Sequence, residues 1–160
     1  MTPETLNRLL EEAKSWAIDL VNCSAVPVRE LRGRQGSHRE APLCYPPEAA
    51  GVYLFRKEQA VVYIERTKRT GTLRKRICND HLSAGPRGSK DFRDKVAAYE
   101  DLMDSERNPD RVRTLQRMRE SYSVAWVQII SPEMRAMVEN LLIAWVRADS
   151  QRLLNDQYGD

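Results

Sequence analysis

GVYLFRKEQAVVYIE, residues 51–65, decides the fold. Two β-rich runs, 51–55 and 61–64, flank the polar Arg56-Lys57-Glu58-Gln59. Runs of β-branched and aromatic residues on either side of a short polar segment predict an antiparallel hairpin. A further run, YSVAWVQII at 122–130, predicts another strand. Around these runs the spacing is helical. Leu6, Leu9, Leu10, Ala13, Ala17, Leu20 and Val21 recur near helical intervals, with Glu11, Glu12 and Lys14 opposite. This predicts a helix over 3–21, with Thr2 as N-cap and Pro3 in its first turn. Helices are also predicted over 72–82, with Leu73 and Ile77 facing inward, over 90–104, over 109–119, and from Ser131-Pro132 to about Asp149. Residues 83–89 read as a loop and 151–160 as a short polar tail. Residues 22–50, punctuated by Pro27, Gly33, Gly36, Pro42 and Pro46, read as a long connector of a kind that is often functional. The expectation is an α+β domain. A small central antiparallel sheet of about three strands is flanked by helices, with an N-terminal helix in addition. Residues 1–47 then form the first helix and the connector, and 48–160 the main domain.

The chain has 160 residues, 41% of them hydrophobic and 31% charged, which fits one folded domain and argues against wholesale disorder. No run approaches the ~18 apolar residues that a membrane-spanning helix requires. MTPETLNRLLEEAKSW carries acids where a secretory signal has basic residues and an apolar stretch. A cytoplasmic location without membrane partners is expected. Cys23, Cys44 and Cys78 stand without CxxC spacing, so neither a disulfide framework nor a Cys/His zinc site is expected. The net charge of +3 is unevenly placed, because residues 51–100 carry twelve basic and six acidic side chains. The excess concentrates in RTKRTGTLRKR, residues 66–76, which has six basic residues and no acid. A polyanion-binding surface needs such a cluster, since Lys and Arg displace counterions from phosphates. A solvated helix face would carry the same pattern.

Four groups of residues are chemically informative. Glu139 lies in PEMRAMVENLLIAWVRA among Ala136, Leu142, Ile143 and Val146, with Arg135 as the only charge in helical reach. A carboxylate in that setting is costly unless it is paired or binds a cation, so Glu139 is either a metal ligand or Arg135's partner. Tyr53 and Tyr63, one on each hairpin strand, either converge on one face or pack as ordinary strand tyrosines. Arg76 either pairs with Asp80 at i+4 or faces an anion. His81 either caps a helix end or takes part in catalysis.

Taken in order, these residues resemble the GIY-YIG nuclease superfamily, and its small stand-alone members most. That pattern is a G-[IV]-Y tripeptide, a Y-[IV]-G tripeptide on the next strand, an arginine in the following helix, a glutamate in a later helix and a distal asparagine. Here the matches are Gly51-Val52-Tyr53, Tyr63-Ile64-Glu65, Arg76 in Leu73-Arg74-Lys75-Arg76, Glu139, and Asn155 in Arg152-Leu153-Leu154-Asn155-Asp156. The resemblance covers about residues 48–156 and implies a metal-dependent endonuclease that hydrolyses phosphodiester bonds in DNA, with RNA also admitted. It implies that Glu139 holds Mg²⁺ or Mn²⁺. Tyr53 serves as general base or orients the attacking water, its pKa of ~10 being lowered by Arg76 and the metal. Arg76 holds the scissile phosphate. Tyr63 positions water or phosphate, and Asn155 orients the catalytic groups or contacts the backbone. Arg66, Lys68, Arg69, Arg74 and Lys75 track neighbouring phosphates.

Two departures stand out. Glu65 replaces the glycine of the second tripeptide and puts a carboxylate beside the phosphate path, where Arg66 is the neighbour placed to neutralise it. Relatives often carry a histidine or tyrosine four residues after the arginine; here Asp80 has that place and His81 the next. Both departures favour an alternative, a catalytically weak nucleic-acid-binding module of the same fold. A third reading, a structural or interaction subunit, draws on the amphipathic first helix.

Overall fold

The computed structural model describes residues 2–31, 45–68, 70–83, 90–149 and 151–156. The first helix, α1 (Pro3–Asn22), starts where its cap residues place it: the Thr2 hydroxyl accepts from the Thr5 amide at 3.2 Å, with proline in the first turn. There follow β1 (Val26–Pro27), a 3₁₀ turn (Val28–Glu30), β2 (Gly51–Lys57), β3 (Ala60–Arg66) and a π-helix (Lys75–His81). The second half holds α2 (Lys90–Tyr99), α3 (Arg111–Ser121), β4 (Tyr122–Gln128), α4 (Pro132–Ala148) and a 3₁₀ turn (Leu154–Asp156). The strands make one antiparallel sheet in the order β1-β4-β2-β3. The α+β class and the helix-flanked antiparallel sheet agree with the sequence reading. The strand count differs, because Val26 and Pro27 pair with Val124 and Ser123 inside the stretch read as connector. Two residues carry no periodicity, and only the free edge of β4 makes them a strand. Proline fits there because an edge position asks no amide of it.

Alternation along the strands sorts the side chains onto two faces. Tyr53, Phe55, Tyr63, Tyr122 and Val124 face Leu73, the π-helix (Ile77, Cys78), α2 (Phe92, Val96) and α3 (Leu115, Met118). Val52, Leu54, Ile64 and Ala125 face α1 (Ala13, Ala17, Leu20) and α4 (Met134, Val138, Leu142). Register runs Tyr53↔Glu65 and Phe55↔Tyr63, then shifts to Arg56↔Val61, so Val62 is the extra residue of a β-bulge. The first helix thus packs on its own domain. Its buried stripe is narrower than its apolar spacing suggests, since Leu6, Leu10 and Val21 remain about 40% exposed.

The second helix ends at Tyr99 because Asp101 turns left-handed (φ 55°) and lets Leu102 donate to the Ala97 carbonyl at 2.8 Å. No glycine announces that stop. The tail read as polar in fact buries Leu153 on the α1/α4 side and Leu154 on the opposite side of the sheet. No described helix is long and apolar enough to cross a membrane. Cys23 and Cys78 are free thiols, while Cys44 lies outside the described residues.

Gly51 opens β2 in a gap with no room for a side chain. A Cβ there would stand 2.1 Å from the Val127 carbonyl oxygen and 2.8 Å from Leu73 Cδ1. Its amide donates to the Thr67 hydroxyl at 3.0 Å, and its carbonyl accepts from the Thr67 amide at 2.9 Å. Close approach, not a left-handed backbone, requires this glycine. Gly51→Ala is therefore expected to lower stability by about 2–3 kcal/mol, read as a lower urea midpoint. An unchanged midpoint would show that β4 can move aside.

Candidate functional site

Tyr53 and Glu65 face one another across β2 and β3, and Tyr63 precedes Glu65 by two residues, so all three share a face. The π-helix supplies Arg76 and His81. In an α-helix, side chains five positions apart point about 140° away from each other. Winding with i→i+5 bonds, as from the Leu82 amide to the Ile77 carbonyl at 3.2 Å, puts an extra residue in the turn and brings both side chains to the sheet. That extra residue accounts for the one-position offset of His81: it reaches the cluster, and Asp80 does not take its place.

All four partners converge on the Glu65 carboxylate. Its Oε1 accepts from Arg76 Nη2 at 2.5 Å and from Nε at 3.2 Å. Its Oε2 accepts from the Tyr53 hydroxyl, from the Tyr63 hydroxyl at 3.0 Å, and stands 3.1 Å from His81 Nε2. His81 Nε2 also meets the Tyr53 hydroxyl at 2.6 Å. The Asp80 carboxylate accepts from Arg76 Nη1 at 3.3 Å, the i+4 pair anticipated from the sequence. Phe92 walls the group, with ring centroids 4.3 Å from Tyr63 and 4.7 Å from His81. Tyr53 and His81 are fully buried, while Glu65 and Arg76 keep 15% and 22% side-chain exposure. The cluster therefore reaches solvent on the carboxylate–guanidinium side.

Burial opposes the charge on Glu65, yet hydrogen bonds from His81, Arg76 and Tyr53 outweigh it and hold the carboxyl far below the ordinary carboxylate range. Burial likewise opposes the Arg76 charge, and the bonds to Glu65 overcome it and push the guanidinium up. His81 moves down: burial dominates, Arg76 adds to it, and Glu65 only partly compensates. The imidazole is thus neutral at neutral pH. Its proton sits on Nε2, since the carboxylate facing that nitrogen can only accept. The buried Nδ1 has no hydrogen-bond partner among the described residues. Tyr53 and Tyr63 are both raised, first by burial and then by the negative charge of Glu65. This corrects the expectation of a lowered Tyr53. Arg76 does pull it down, but burial and Glu65 weigh more.

Glu139 approaches from the other face of the sheet. Its Oε2 meets Arg66 Nε at 2.8 Å, and its Oε1 accepts from the Arg66 backbone amide at 3.2 Å. Neither residue follows its sequence-based pairing. Arg135 is buried, and its Nη1 donates to the carbonyls of Ile129 and Ile130 at 2.9 and 2.7 Å. Arg66 turns away from its neighbour Glu65, which is neutralised by Arg76. Burial raises the Glu139 carboxyl, Arg66 opposes the rise, and Glu65 adds to it. Glu139 therefore senses the cluster's charge without touching it.

Asn155 holds a backbone position. Its Oδ1 accepts from the Ile64 amide at 3.0 Å, and its Nδ2 donates to the Ile64 carbonyl at 2.6 Å. Both bonds fall on the outer edge of β3, next to Tyr63 and Glu65. Among the expected phosphate contacts, Lys68 and Lys75 are exposed. Arg74 holds the segment before β2, through the Pro46 carbonyl at 3.0 Å, Glu48 at 3.3 Å and the Tyr45 ring at 5.1 Å. Arg69 lies outside the described residues.

The implied cation can be tested against these donors. Both oxygens of Glu139 are held by Arg66, whose guanidinium repels a cation, and Glu65 has its two oxygens turned to Arg76, His81 and the tyrosines. Among the described residues, no group of three His, Cys, Asp or Glu side chains could hold a metal. As arranged, the site does not fit resident Mg²⁺ or Mn²⁺, which needs one or two free carboxylates.

Sequence reasoning treated Glu65 as a departure, not as the centre. The available signal was alternation: Tyr63 and Glu65 fall on one strand face, and a charge on a covered face requires a buried partner.

The electrostatics and the edge clamp each have a measurable consequence. An unfolded chain protonates His81 near 6.5 and Glu65 near 4.5, while the folded chain resists both. The unfolded state binds more protons, so stability falls with acid, first below about 6.5 and further below about 4.5. Glu65→Gln is expected to be less stable at neutral pH and to show a flatter lower limb in urea midpoints followed from neutral to about pH 3. Asn155→Ala should cost about 1–2 kcal/mol and speed hydrogen exchange at the Ile64 amide more than elsewhere.

No family model, no curated protein and no solved structure matches this chain.

Proposed function

We propose that the chain grips the phosphodiester backbone of nucleic acid through a module of the GIY-YIG nuclease kind, and that in this arrangement it binds without cutting. The observation that carries the reading is the occupancy of the cluster. Glu65 takes the hydrogen bonds that a scissile phosphate would need. Tyr53, the residue expected to act on water, is buried, keeps its proton and donates it to Glu65. A general base must be able to accept a proton near the working pH. Arg66 closes off Glu139 in the same arrangement. The charge outside the cluster still suits a polyanion, since Lys68 and Lys75 stand exposed in the most basic stretch of the chain.

One observation favours a second reading, the divalent-metal-dependent DNA endonuclease. Tyr53, Tyr63, Arg76 and His81 meet at one point with an opening to solvent, where ordinary packing residues would scatter. Under that reading Glu65 must leave the cluster and Arg66 must release Glu139.

Fluorescent duplex, single-stranded and branched DNA, and RNA, incubated with Mg²⁺, Mn²⁺ or EDTA, separate the two. We expect binding that weakens steeply with salt, and intact substrate throughout. Lys68→Ala combined with Lys75→Ala should weaken binding several-fold and reduce the salt slope by about one for each lysine replaced. Metal-dependent cutting that vanishes in Glu139→Gln would replace this reading by the endonuclease. A chain that neither binds nor cuts would remove both.

A further inference from the structure

We propose that the cleft between the C-terminal ends of α1 and α4 and the β2–β3 turn binds a small protonated amine carried on an apolar, aromatic body. The cleft lies on the α1/α4 side of the sheet, across from the Glu65 cluster, and shares no residue with it. It also stands apart from the exposed lysines. Arg56 and Val61 are at the turn end of the hairpin, whereas Lys68 follows the other end of β3, about 20 Å along the strand.

The cleft has a volume of about 360 Å³, at the small end of the ~300–1,000 Å³ usual for small-molecule sites. Val61, Leu142 and Val146 supply its apolar surface. Trp145, in the last turn of α4, also lines it and stays 38% exposed. An indole left open beside a cavity offers a flat body something to stack on, and it is the best of the aromatic side chains for a cation.

Charge decides the sign of the ligand. Two helix C-termini meet at the cleft: α1 ends at Asn22 with Val21 in the wall, and α4 ends at Ala148 with Asp149 as its cap. Each end carries about half a negative charge on its terminal carbonyls, and the Asp149 carboxylate adds a full one. Arg56 is the only cation lining the cleft among the described residues. Its Nη2 donates to the Val21 carbonyl, so its charge is already engaged with the end of α1. Arg147, in the last turn of α4, does not line the cleft. The local balance is negative.

Hydrogen bonding points the same way. Gln151 is fixed by its backbone amide, which donates to the Val146 carbonyl at 3.2 Å, and its Nε2 donates to Asp149 Oδ2 at 2.8 Å. Its Oε1 is buried and has no hydrogen-bond partner among the described residues. An unpaired buried acceptor calls for a donor. An ammonium group brings three donors and no acceptor, which suits Gln151 Oε1 and the Asp149 carboxylate. A carboxylate or phosphate ligand would meet acceptors of its own kind and the negative ends of two helices.

2-Phenylethylamine is the probe, with 2-phenylethanol and phenylacetate as its neutral and anionic counterparts. Each is titrated into the full chain at neutral pH and followed by calorimetry and by the NMR signals of the Trp145 indole N–H and the Gln151 side-chain amide. The amine should bind saturably at about 1–10 mM and move both signals. It should bind at least about fivefold more tightly than 2-phenylethanol, and phenylacetate should bind most weakly. Asp149→Asn should weaken the amine about three- to fivefold and leave 2-phenylethanol unchanged. Trp145→Leu should weaken both. Nucleic-acid binding should be the same in both variants. If Trp145→Leu fails to fold, Asp149→Asn and the ranking of the three probes decide alone. Phenylacetate binding as tightly as the amine overturns the proposal, as does amine binding that moves neither signal or ignores Asp149→Asn. Guanosine that moves the same signals and binds more tightly than the amine would assign the cleft to a nucleobase and also overturn it.

Discussion

The contact between Arg76 and Glu65 is the constraint on which the site depends. Neither charge is stable alone where it sits, because each is largely removed from water. Together, with two phenols and a neutral imidazole completing the shell, they form a buried polar island between the sheet and the π-helix. Each member has consequences for the others. Burial and then the carboxylate keep both tyrosines protonated, the hydrogen bonds from His81, Arg76 and Tyr53 keep the carboxylate ionised, and burial keeps the histidine neutral. The π-helix follows from the same requirement, since ordinary α-helical winding would aim Arg76 and His81 in different directions.

The sheet separates two charge systems that are adjacent in sequence. Glu65 and Arg66 are neighbours in β3, but strand alternation sends one to the π-helix side and the other to α4. Glu65 is matched with Arg76, and Arg66 with Glu139. The pairings are staggered across the strand, so each acid is neutralised by a base from a distant element. This arrangement draws an α4 residue and a π-helix residue to the same end of β3 without letting them touch.

Much of the fold was legible in the amino-acid order. The hairpin, the strand before α4 and the capped starts of α1 and α4 all follow from local chemistry, because apolar alternation and cap residues report directly on secondary structure. What was not legible depends on tertiary partners. Val26 and Pro27 become a strand only beside β4, and Leu153 and Leu154 leave a polar-looking tail for two different cores. The site divides the same way. Tyr53, Tyr63, Arg76 and His81 were identified by type and order, and they assemble. The pairings of Glu139 with Arg66 and of Asn155 with the Ile64 backbone depend on which elements pack together, which residue spacing does not encode.

The tail turn has a mechanical meaning. Leu153 and Leu154 enter opposite sides of the sheet while Asn155 grips the strand margin between them, 91 positions from Ile64 along the chain. The turn acts as a rivet through the rim of the molecule. It leaves that rim no exposed main-chain groups at Ile64 to recruit a foreign strand, and so protects against edge-to-edge association. It also ties the position of Tyr63 and Glu65 to this late turn, so that loosening there would be felt at the polar centre.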